Sequence, residues 1–449
     1  MKVINIPFCF TPDEIGGTEI YVQQLTKRLQ QIGVDAIIAA PAETTQHYKV
    51  AGTSVYRYAT TQNVISQDQL YGEGDNLAVQ EFKKILDIEN PDIVHIHAFT
   101  IGVSLLLIRM IKSRGIPVIF TYHTPTVSCQ RGTMMLWGKE LCDGRLDVYR
   151  CAACTLHGLG VPSPVARLLS LPVTLAMGQV IAFNGLRGRV WTALGMRQLI
   201  RQRHNVFREM TVEVDRIVAV CEWVRNVLLI NDVPPTKILL SRQGIEWDPD
   251  ATTLSRTAAV HSAGDELRIA FLGRMHPTKG VGVLIDALKA DETLNVKLDI
   301  FCVVQDDHGL TYKKSMEALA GDDRRISFFD AIPSGEVIPR LRRYDLLAIP
   351  SKWLETGPLV ALEAFAAGVP VIGWSIGGTS ELVQNEVNGI LIEPGPATAW
   401  TKALRRLAND AGLLARLKEG VQPPRNSSVV AQEMKALYEE ILGLEKRPS

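Results

Sequence analysis

The sequence lacks an excess of charge of either sign. Its 449 residues carry 48 lysines and arginines and 48 aspartates and glutamates, so the formal net charge is zero. A chain without net charge has no overall electric field to attract nucleic acid, and we expect no nucleic-acid partner. The composition, with 46% hydrophobic and 21% charged residues, is typical of a globular protein, and the length predicts two or three domains.

The amino terminus also lacks the apolar core of a secretory signal peptide. The opening stretch, MKVINIP, is short and is interrupted by Pro7. We therefore expect a cytoplasmic protein. Its seven cysteines should then be free or metal-bound rather than paired in disulfides.

The first forty residues lack the three-glycine fingerprint of dinucleotide-binding proteins, although they have its order of elements. A strand at 2–6, a loop with Gly16 and Gly17, a helical pattern at 19–32 and a strand at 34–38 form half of a Rossmann-like unit. Two glycines before a helix let the backbone approach a phosphate. A plain flexible turn fits these two glycines equally well.

One internal segment lacks both acids and lysine. Between Thr155 and Arg208 the chain has seven arginines and no lysine, aspartate or glutamate. Within it, residues 168–186 run without a charge for close to the length of a membrane span, but Pro172 and two polar residues interrupt them. Two interpretations stay open: helices packed on the N-terminal sheet with solvated arginines, or a helix lying at an anionic bilayer surface.

Four cysteines precede that segment in a glycine-punctuated stretch. They are Cys129, Cys142, Cys151 and Cys154. One close Cys-x-x-Cys pair with two further thiols suits a tetrahedral, structural zinc site, and we expect zinc here. Free thiols in a loop, or a redox pair at the last two cysteines, are the alternatives.

The stretch from Asp345 to Ile372 organises the second half of the chain. A short apolar run ending at Pro350 predicts a buried strand, and another begins at Val371. Between them the sequence predicts a helix with Pro358 at its first position and a stop at Gly368.

The start of this helix is a candidate anion site. Thr356 and Gly357 are candidate caps, and the first backbone N–H groups, at Leu359 and Val360, lack partners within a helix. At the end of a strand, such a helix start binds phosphates. Glu355 and Glu363 bracket it, and carboxylates accept hydrogen bonds from sugar hydroxyls. The pattern predicts a ligand that is part diphosphate and part polyol.

These residues carry a family resemblance. Glu355 and Glu363, followed by Ala-Phe-Ala-Ala-Gly-Val-Pro-Val-Ile at 364–372, resemble the signature of retaining GT-B glycosyltransferases of family 4, also called group 1. The resemblance covers nearly the whole chain and is weakest at 124–208.

The resemblance implies an α/β fold of two Rossmann-like domains facing a cleft. The N-terminal, acceptor-side domain would span residues 1–245, with the cysteine-containing, arginine-rich insertion at about 124–208. The nucleotide-sugar-binding domain would span 265–428, after a polar linker. The last residues, 429–449, would form a helix that packs back on the first domain.

Roles for residues of the second domain also follow from the resemblance. Arg274 and Lys279, with the amides near Leu359, would stabilise the departing diphosphate. Glu355 would bind sugar hydroxyls and Glu363 the ribose. The loop at Ala331 would cradle the nucleotide base, and Gly357 and Val360 would also bind the donor.

In the first domain, polar side chains end two predicted parallel strands. His97 ends the predicted strand at 92–97, and His123 ends the predicted strand at 116–123. By resemblance, His123 would orient the transferred sugar, and Gly16 and Gly17 would touch the donor diphosphate. His97 is a second candidate, whereas His95 is expected to be structural.

The implied function is transfer of a sugar from a nucleotide diphosphate sugar with retention at the anomeric carbon and without a catalytic metal. No protein nucleophile is implied. The acceptor would be a glycan or a lipid-linked molecule, in surface polysaccharide or glycoconjugate synthesis. If the arginine-rich segment lies at an anionic bilayer surface, the protein would be peripheral at the inner face of the membrane. Two alternatives are a non-catalytic nucleotide-sugar-binding subunit and a nucleotide-sugar epimerase of the same fold.

Overall fold

The computed structural model describes residues 1–13, 16–62, 70–171, 188–248 and 265–444. The chain divides into two compact units, one made of Met1–Ser241 with Ala431–Ser449 and the other of Arg242–Val430. We call them the first and the second unit. Most of the predicted linker, and the chargeless stretch beyond Leu171, lie outside the described residues.

The first unit is built on a parallel sheet. In the described part of the chain its strands are β1 (Lys2–Ile6), β2 (Asp35–Ala42), β3 (Gln46–Val50), β4 (Thr53–Ala59), β5 (Ile93–Ile96), β6 (Val118–Tyr122), β7 (Met135–Leu136), β8 (Glu140–Leu141), β9 (Arg216–Ala219) and β10 (Ile238–Leu240). Eight of them form one sheet in the order β10-β9-β6-β5-β1-β2-β4-β3, in which only β3 is antiparallel to its neighbour. The central strands are buried throughout, because helices cover both faces of such a sheet.

Seven helices of the first unit are described before its last strand. They are α1 (Gly17–Gln31), α2 (Asn76–Glu89), α3 (Leu105–Lys112), α4 (Val148–Gly158), α5 (Ser163–Leu169), α6 (Arg189–Glu213) and α7 (Glu222–Ile230). The main core joins strand residues such as Phe120 to helix residues such as Phe82 and Phe207. α1 begins at Gly17, two residues before the start of the helical pattern predicted at 19–32.

The segment between β6 and β9 has structure of its own. β7 and β8 pair as a short antiparallel hairpin that lies between Cys129 and Cys142. After it, α4, α5 and α6 bury a small apolar cluster that includes Leu156, Ala166 and Met196. The described parts of these helices therefore pack on one another.

The second unit is a six-stranded, fully parallel sheet. Its strands are β11 (Leu267–Arg274), β12 (Val296–Val303), β13 (Ile326–Asp330), β14 (Leu346–Ile349), β15 (Val371–Trp374) and β16 (Gly389–Ile392). Their order is β13-β12-β11-β14-β15-β16. Numbered within the unit this is 3-2-1-4-5-6, the order of a Rossmann sheet, and it reverses between β11 and β14. The predicted fold class, two Rossmann-like α/β domains, is confirmed.

Helices connect the strands of the second unit and close the chain. They are α8 (Val281–Lys289), α9 (Asp307–Ala320), α10 (Val337–Leu341), α11 (Leu359–Ala366), α12 (Gly377–Leu382), α13 (Ala397–Asn409), α14 (Ala411–Gly420) and α15 (Ser427–Ile441). Trp400 on α13 is fully buried and meets Trp374 at the end of β15 edge to face. None of the described helices is long and apolar enough to cross a membrane.

The end of α15 belongs to the first unit. The Tyr438 hydroxyl lies 2.7 Å from Nδ1 of His95 on β5, and both groups are buried. Lys435 donates to the carbonyl of Ile32, and Arg216 on β9 pairs with Glu440. The last helix is thus held by polar contacts to three elements of the first unit.

Candidate active site

Lys279 and Glu355 lie where the strand order of the second unit reverses. Lys279 ends a short turn that follows β11, and Glu355 lies in the loop that follows β14, the neighbour of β11 in the sheet. Both loops leave the carboxyl ends of parallel strands. Open α/β sheets bind their ligands at this position.

One carboxylate oxygen gathers three donors at this point. Oε1 of Glu355 lies 2.7 Å from Nζ of Lys279, 2.7 Å from Oγ of Ser351 and 2.8 Å from Nε1 of Trp353. The ammonium of Lys279 also lies 5.1 Å from the centre of the Trp353 ring. If an anionic ligand takes Lys279 as its partner, the buried carboxylate of Glu355 needs another hydrogen-bond donor. A ligand that has hydroxyl groups as well as phosphate supplies both partners.

The backbone at Gly280 fixes the position of Lys279. Gly280 has φ +76°, and a Cβ there would lie 1.9 Å from the carbonyl oxygen of Pro350, the residue after β14. The Lys352 amide donates to the Thr278 carbonyl at 2.7 Å. The two loops therefore touch through their backbones, which only glycine allows at residue 280.

The helix after this loop starts one residue later than predicted. α11 begins at Leu359, and Pro358 precedes it with φ −65° and an extended ψ, so Thr356 and Gly357 are not its caps. Proline without an N–H suits the boundary position. The predicted stop is correct, since Gly368 adopts φ +75° just after the helix.

A second helix begins beside the first. The Gly378 amide of α12 donates to the Glu355 carbonyl at 2.6 Å, and a Cβ on Gly378 would lie 2.8 Å from the Gly357 nitrogen. The starts of α11 and α12 therefore lie together. The amides of Leu359 and Val360 belong to the first turn of α11, whose N–H groups have no partner within a helix.

Glu363 is half-buried on α11, four residues after Leu359. Burial raises the pKa of Glu363 to about 7. Its carboxyl group therefore changes charge close to neutral pH, and hydroxyl donors that stabilise the ionised form would lower that pKa.

The other residues predicted for the second unit lie at strand ends but farther apart. Arg274 is the exposed last residue of β11 and donates to Oε1 of Gln305 at 3.2 Å. Ala331 is exposed and follows β13, which two strands separate from β14. Ser351 and Trp353 were missed in the sequence. Their position directly after a buried strand is the signal that would have indicated them.

In the first unit, Gly16 and Gly17 stand at the start of α1. The Gly16 amide donates to Oε2 of Glu19 at 2.8 Å, an acidic side chain in the first turn. This contact places a buried carboxylate at the helix start. Residues 14–15, in the loop before it, lie outside the described residues.

Three buried histidines follow or line the central strands. Nε2 of His97 lies 3.3 Å from Oδ1 of Asn5, and Nδ1 of His97 lies 3.1 Å from Nε2 of His123. Because an amide oxygen only accepts, His97 donates to Asn5, and His123 donates to His97. Burial lowers the pKa of His123 to about 3 and that of His97 well below its usual value. Both rings are neutral at physiological pH.

The contacts of His95 are those of a structural residue, because they join three elements of the fold. Its ring lies 4.1 Å from that of His97, as expected for residues two apart on a strand, and it contacts Oγ1 of Thr121 and the hydroxyl of Tyr438, each at 2.7 Å. Both ring nitrogens thus have protein partners.

Two family descriptions match the sequence. The one described as "Glycosyl transferases group 1" matches residues 257–422, and the one described as "Glycosyltransferase Family 4" matches residues 15–152. Together they take in the loops of Lys279 and Glu355 in the second unit and the glycine and histidine positions of the first. The chain belongs to the family 4, group 1 glycosyltransferases of the GT-B fold.

Relatives and solved structures agree with this family. A D-inositol 3-phosphate glycosyltransferase of Salinispora tropica is 32% identical over 232 residues, 48% of each chain. The corresponding protein of Corynebacterium glutamicum is 34% identical over 187 residues, 39% of this chain and 44% of the other. The chain spans about half the length of the curated relatives it matches.

The fold is shared over the full length. Sucrose-phosphate synthase from Thermosynechococcus elongatus has a TM-score of 0.65 at 18% identity, covering 99% of this chain and 100% of that one. Anabaena HepE in complex with UDP and glucose has a TM-score of 0.61 at 16% identity, covering 97% and 99%. At these identities the likeness shows the fold alone.

The first unit of this glycosyltransferase contains a cavity of about 750 Å³. It opens beyond the carboxyl ends of β1, β2 and β4. Its polar lining includes Asp13, Arg57, Thr60, Thr61, Asp75 and Arg203. Arg57 pairs with Asp13, and Asp75 accepts hydrogen bonds from Thr61. Arg203 donates to the Thr126 carbonyl, and burial lowers its pKa below the usual value.

The four cysteines all line a second, small cavity of about 40 Å³. Sγ of Cys154 lies 3.3 Å from the Trp137 amide nitrogen and 3.6 Å from Nη1 of Arg131, and Cys142 is 3.9 Å from a carboxylate oxygen of Asp143. Among the described residues no three histidines, cysteines or acids are placed as metal ligands. The thiols share a cavity but do not, as placed, form the tetrahedral shell that the spacing predicts.

Proposed function

We propose that this chain transfers a sugar from a nucleoside diphosphate sugar to an acceptor, with retention at the anomeric carbon. The contact that carries the proposal is the ion pair of Lys279 and Glu355 at the reversal of the strand order. A cation and a hydroxyl-accepting carboxylate in one contact match a ligand in which diphosphate and sugar are joined. Solved neighbours support the donor class, since Anabaena HepE is in complex with UDP-glucose and the starch synthase IV catalytic domain of Arabidopsis thaliana is bound to ADP and acarbose.

The proposed chemistry needs positive charge where the diphosphate departs. The bond from the anomeric carbon to the phosphate oxygen breaks, and the acceptor oxygen bonds to that carbon on the same face. The acceptor proton passes to the departing phosphate oxygen. Lys279, Arg274 and the amides at the start of α11 would stabilise the charge that develops there, so no catalytic metal is required.

Glu355 and His123 would act on the sugar. Glu355 is held by Ser351 and Trp353, and its carboxylate would accept hydroxyl hydrogen bonds. His123 is neutral and would act as a hydrogen-bonding group rather than as an acid. Glu363 would hold the ribose and Ala331 the base, while Gly16 and Gly17 would approach the diphosphate.

We further infer that the acceptor is polyhydroxylated and binds in the cavity of about 750 Å³. Threonine hydroxyls and carboxylates suit hydroxyl groups, and Arg203 suits an anionic substituent. The relatives reported above are D-inositol 3-phosphate glycosyltransferases, and an inositol phosphate has both features. A glycan or a lipid-linked acceptor, used at the inner face of the membrane for surface polysaccharide or glycoconjugate, has the same chemistry.

Donor hydrolysis without acceptor tests the reaction class. The protein is incubated with UDP-, ADP- and GDP-sugars in the presence of EDTA, and the released sugar is followed by NMR. We expect slow hydrolysis of one donor, with the first-formed anomer identical to that of the donor. Release of the opposite anomer, conversion of the donor sugar to its epimer, or binding without turnover would each contradict the proposal.

The acceptor inference has its own test. With the donor identified, transfer to inositol 3-phosphate, to inositol and to a lipid-linked sugar is compared. Arg203→Gln should raise KM for the anionic acceptors and leave neutral ones unchanged, whereas Arg225→Gln, at an exposed arginine of α7 outside the cavity, should change neither. Equal effects on anionic and neutral acceptors would show that Arg203 only supports the fold.

A further inference from the structure

Exposed apolar side chains are concentrated in one part of the first unit. Among the described residues, eighteen large hydrophobic side chains are exposed, and six of them lie on the two short stretches that flank residues 172–187. They are Leu159, Val165, Leu168, Leu171, Val190 and Trp191. Single exposed apolar residues are ordinary, but a concentration of six marks an interaction surface.

The helix α5 is apolar on two sides. Ala166 is fully buried and Leu169 packs against the same apolar cluster, so these residues form its inner face. Val165 and Leu168, three residues apart on the outer face, are 45% and 67% exposed. Apolar residues on the outer face of a helix as well favour contact with an apolar partner over contact with water.

The first turn of α6 continues this surface. Val190 and Trp191 are 69% and 40% exposed there. Farther along the same helix, Arg197 donates to the Ser170 carbonyl at 3.2 Å, which joins α6 to the end of α5. Met196 and Ile200 of α6 pack in the same cluster as Ala166. We call the exposed side chains of α5, of its flanks and of this first turn the apolar docking surface.

The charge around the apolar docking surface has one sign. The segment from Thr155 to Arg208 contains seven arginines and neither lysine nor acid, in a chain whose net charge is zero. Arg167 and Arg201 are exposed on α5 and α6. A twofold contact with a second copy would bring arginine against arginine, which is unfavourable. An anionic lipid surface instead offers negative headgroups to the arginines and acyl chains to the apolar residues.

We propose that the apolar docking surface binds an anionic lipid bilayer, with α5 lying in the plane of the interface. The side chains of Val165, Leu168 and Val190 enter the acyl boundary, and the exposed Arg167 and Arg201 meet the headgroups. The binding requires neither donor nor acceptor. It brings the first unit, which contains the acceptor cavity, to a membrane, where a lipid-linked acceptor is found.

Vesicle co-sedimentation of the full chain tests this, without any nucleotide. We expect binding to phosphatidylcholine vesicles that contain phosphatidylglycerol, little binding to pure phosphatidylcholine, and release by high salt, because salt screens the arginines. Val165→Ser with Leu168→Ser should weaken the partitioning by about tenfold or more, because two apolar side chains no longer leave water. Leu168→Glu alone should weaken it as well, through repulsion from the headgroups.

The matched control is a pair of equally exposed apolar residues elsewhere in the same unit. Ile88 and Val212 are 68% and 72% exposed, and Ile88→Ser with Val212→Ser should leave vesicle binding unchanged. Equal loss in both pairs, no loss in either, or no binding to anionic vesicles at low salt would overturn the proposal. So would a dimer in light scattering that Leu168→Glu dissociates, because a second copy would then cover the surface. Donor hydrolysis is measured separately and does not depend on the outcome.

Discussion

At the scale of single residues, the carboxylate of Glu355 pairs with the charged Lys279 and is also held by two neutral hydrogen-bond donors. It accepts from Lys279, Ser351 and Trp353 on one oxygen, so its position is fixed before any ligand arrives. Such preorganised polar groups stabilise developing charge without reorganisation during the reaction.

Glu355→Gln is the first prediction at this scale. The amide keeps the shape and can still accept from Ser351 and Trp353, but it loses the charge that pairs with Lys279. We expect kcat to fall by the equivalent of about 2–4 kcal/mol with a small change in donor KM. Steady-state kinetics measure this. Glu292→Gln, at an exposed residue in the loop before β12, should behave like the wild type. An unchanged kcat in Glu355→Gln would remove this residue from the site.

Glu363 predicts a pH dependence. Because burial raises its folded pKa to about 7 above the ordinary value of 4.5, the nucleotide-free protein loses stability as the pH rises from the unfolded pKa through 7. Nucleotide binding, if the ribose hydroxyls stabilise the carboxylate, should strengthen as the pH rises towards 7. Calorimetric titration at several pH values measures both the affinity and the proton release. Glu363→Gln should bind more weakly and lose this slope; a variant with the wild-type slope would show that another group titrates.

Gly280 predicts a conformational requirement. Gly280→Ala would place a Cβ 1.9 Å from the Pro350 carbonyl and impose a left-handed backbone on alanine, whereas Gly33→Ala shares a positive φ, +84°, with open space around it. Backbone strain of this kind costs roughly 1–3 kcal/mol. We expect Gly280→Ala to destabilise the second unit by more than this strain, and Gly33→Ala to destabilise the first unit by no more than it. Urea unfolding with separate probes for the two units compares them. Equal costs would show that the two loops do not need this backbone contact.

At the scale of secondary structure, the last helix is joined to the central strands by a buried pair. Tyr438→Phe removes the hydroxyl that contacts Nδ1 of His95, and leaves a buried ring nitrogen without its partner. We expect a loss of about 1–3 kcal/mol in the free energy of unfolding of the first unit. Tyr149→Phe, at a 38% exposed tyrosine of the same unit, should cost almost nothing. If Tyr438→Phe is equally harmless, α15 is not anchored through His95.

The four cysteines on and around the β7–β8 loop and α4 carry the remaining prediction at this scale. The spacing of the four cysteines predicts one structural zinc per chain, and all four thiols line one cavity. In the described structure the four sulfurs are not placed as metal ligands, so zinc binding would require them to move closer together. Elemental analysis of purified protein decides: about one zinc per chain, lost in Cys151→Ser with Cys154→Ser, supports the site, and metal-free protein with four titrating thiols contradicts it.

At the scale of the whole molecule, hydrophobic periodicity and the positions of glycine and proline were sufficient to predict the architecture. Apolar runs such as 346–349 predicted buried strands, and Gly368 marked a helix end, because these signals are local. The start of α11 was misplaced by one residue, since proline fits both sides of a helix boundary. The contacts of Glu355 with Lys279 and of His95 with Tyr438 join residues far apart in sequence, so no local pattern specifies them.

Binding of a nucleoside diphosphate to the second unit is the central claim, and calorimetric titration of UDP, ADP and GDP in EDTA tests it most directly. We expect one of them to bind without metal, more tightly than its monophosphate, and about tenfold or more weaker in Lys279→Ala, because a charge-assisted contact to phosphate is lost. Lys352→Ala, at an exposed lysine of the neighbouring loop, should bind like the wild type. Failure of all three diphosphates to bind, or equal affinity in Lys279→Ala and the wild type, would contradict the account.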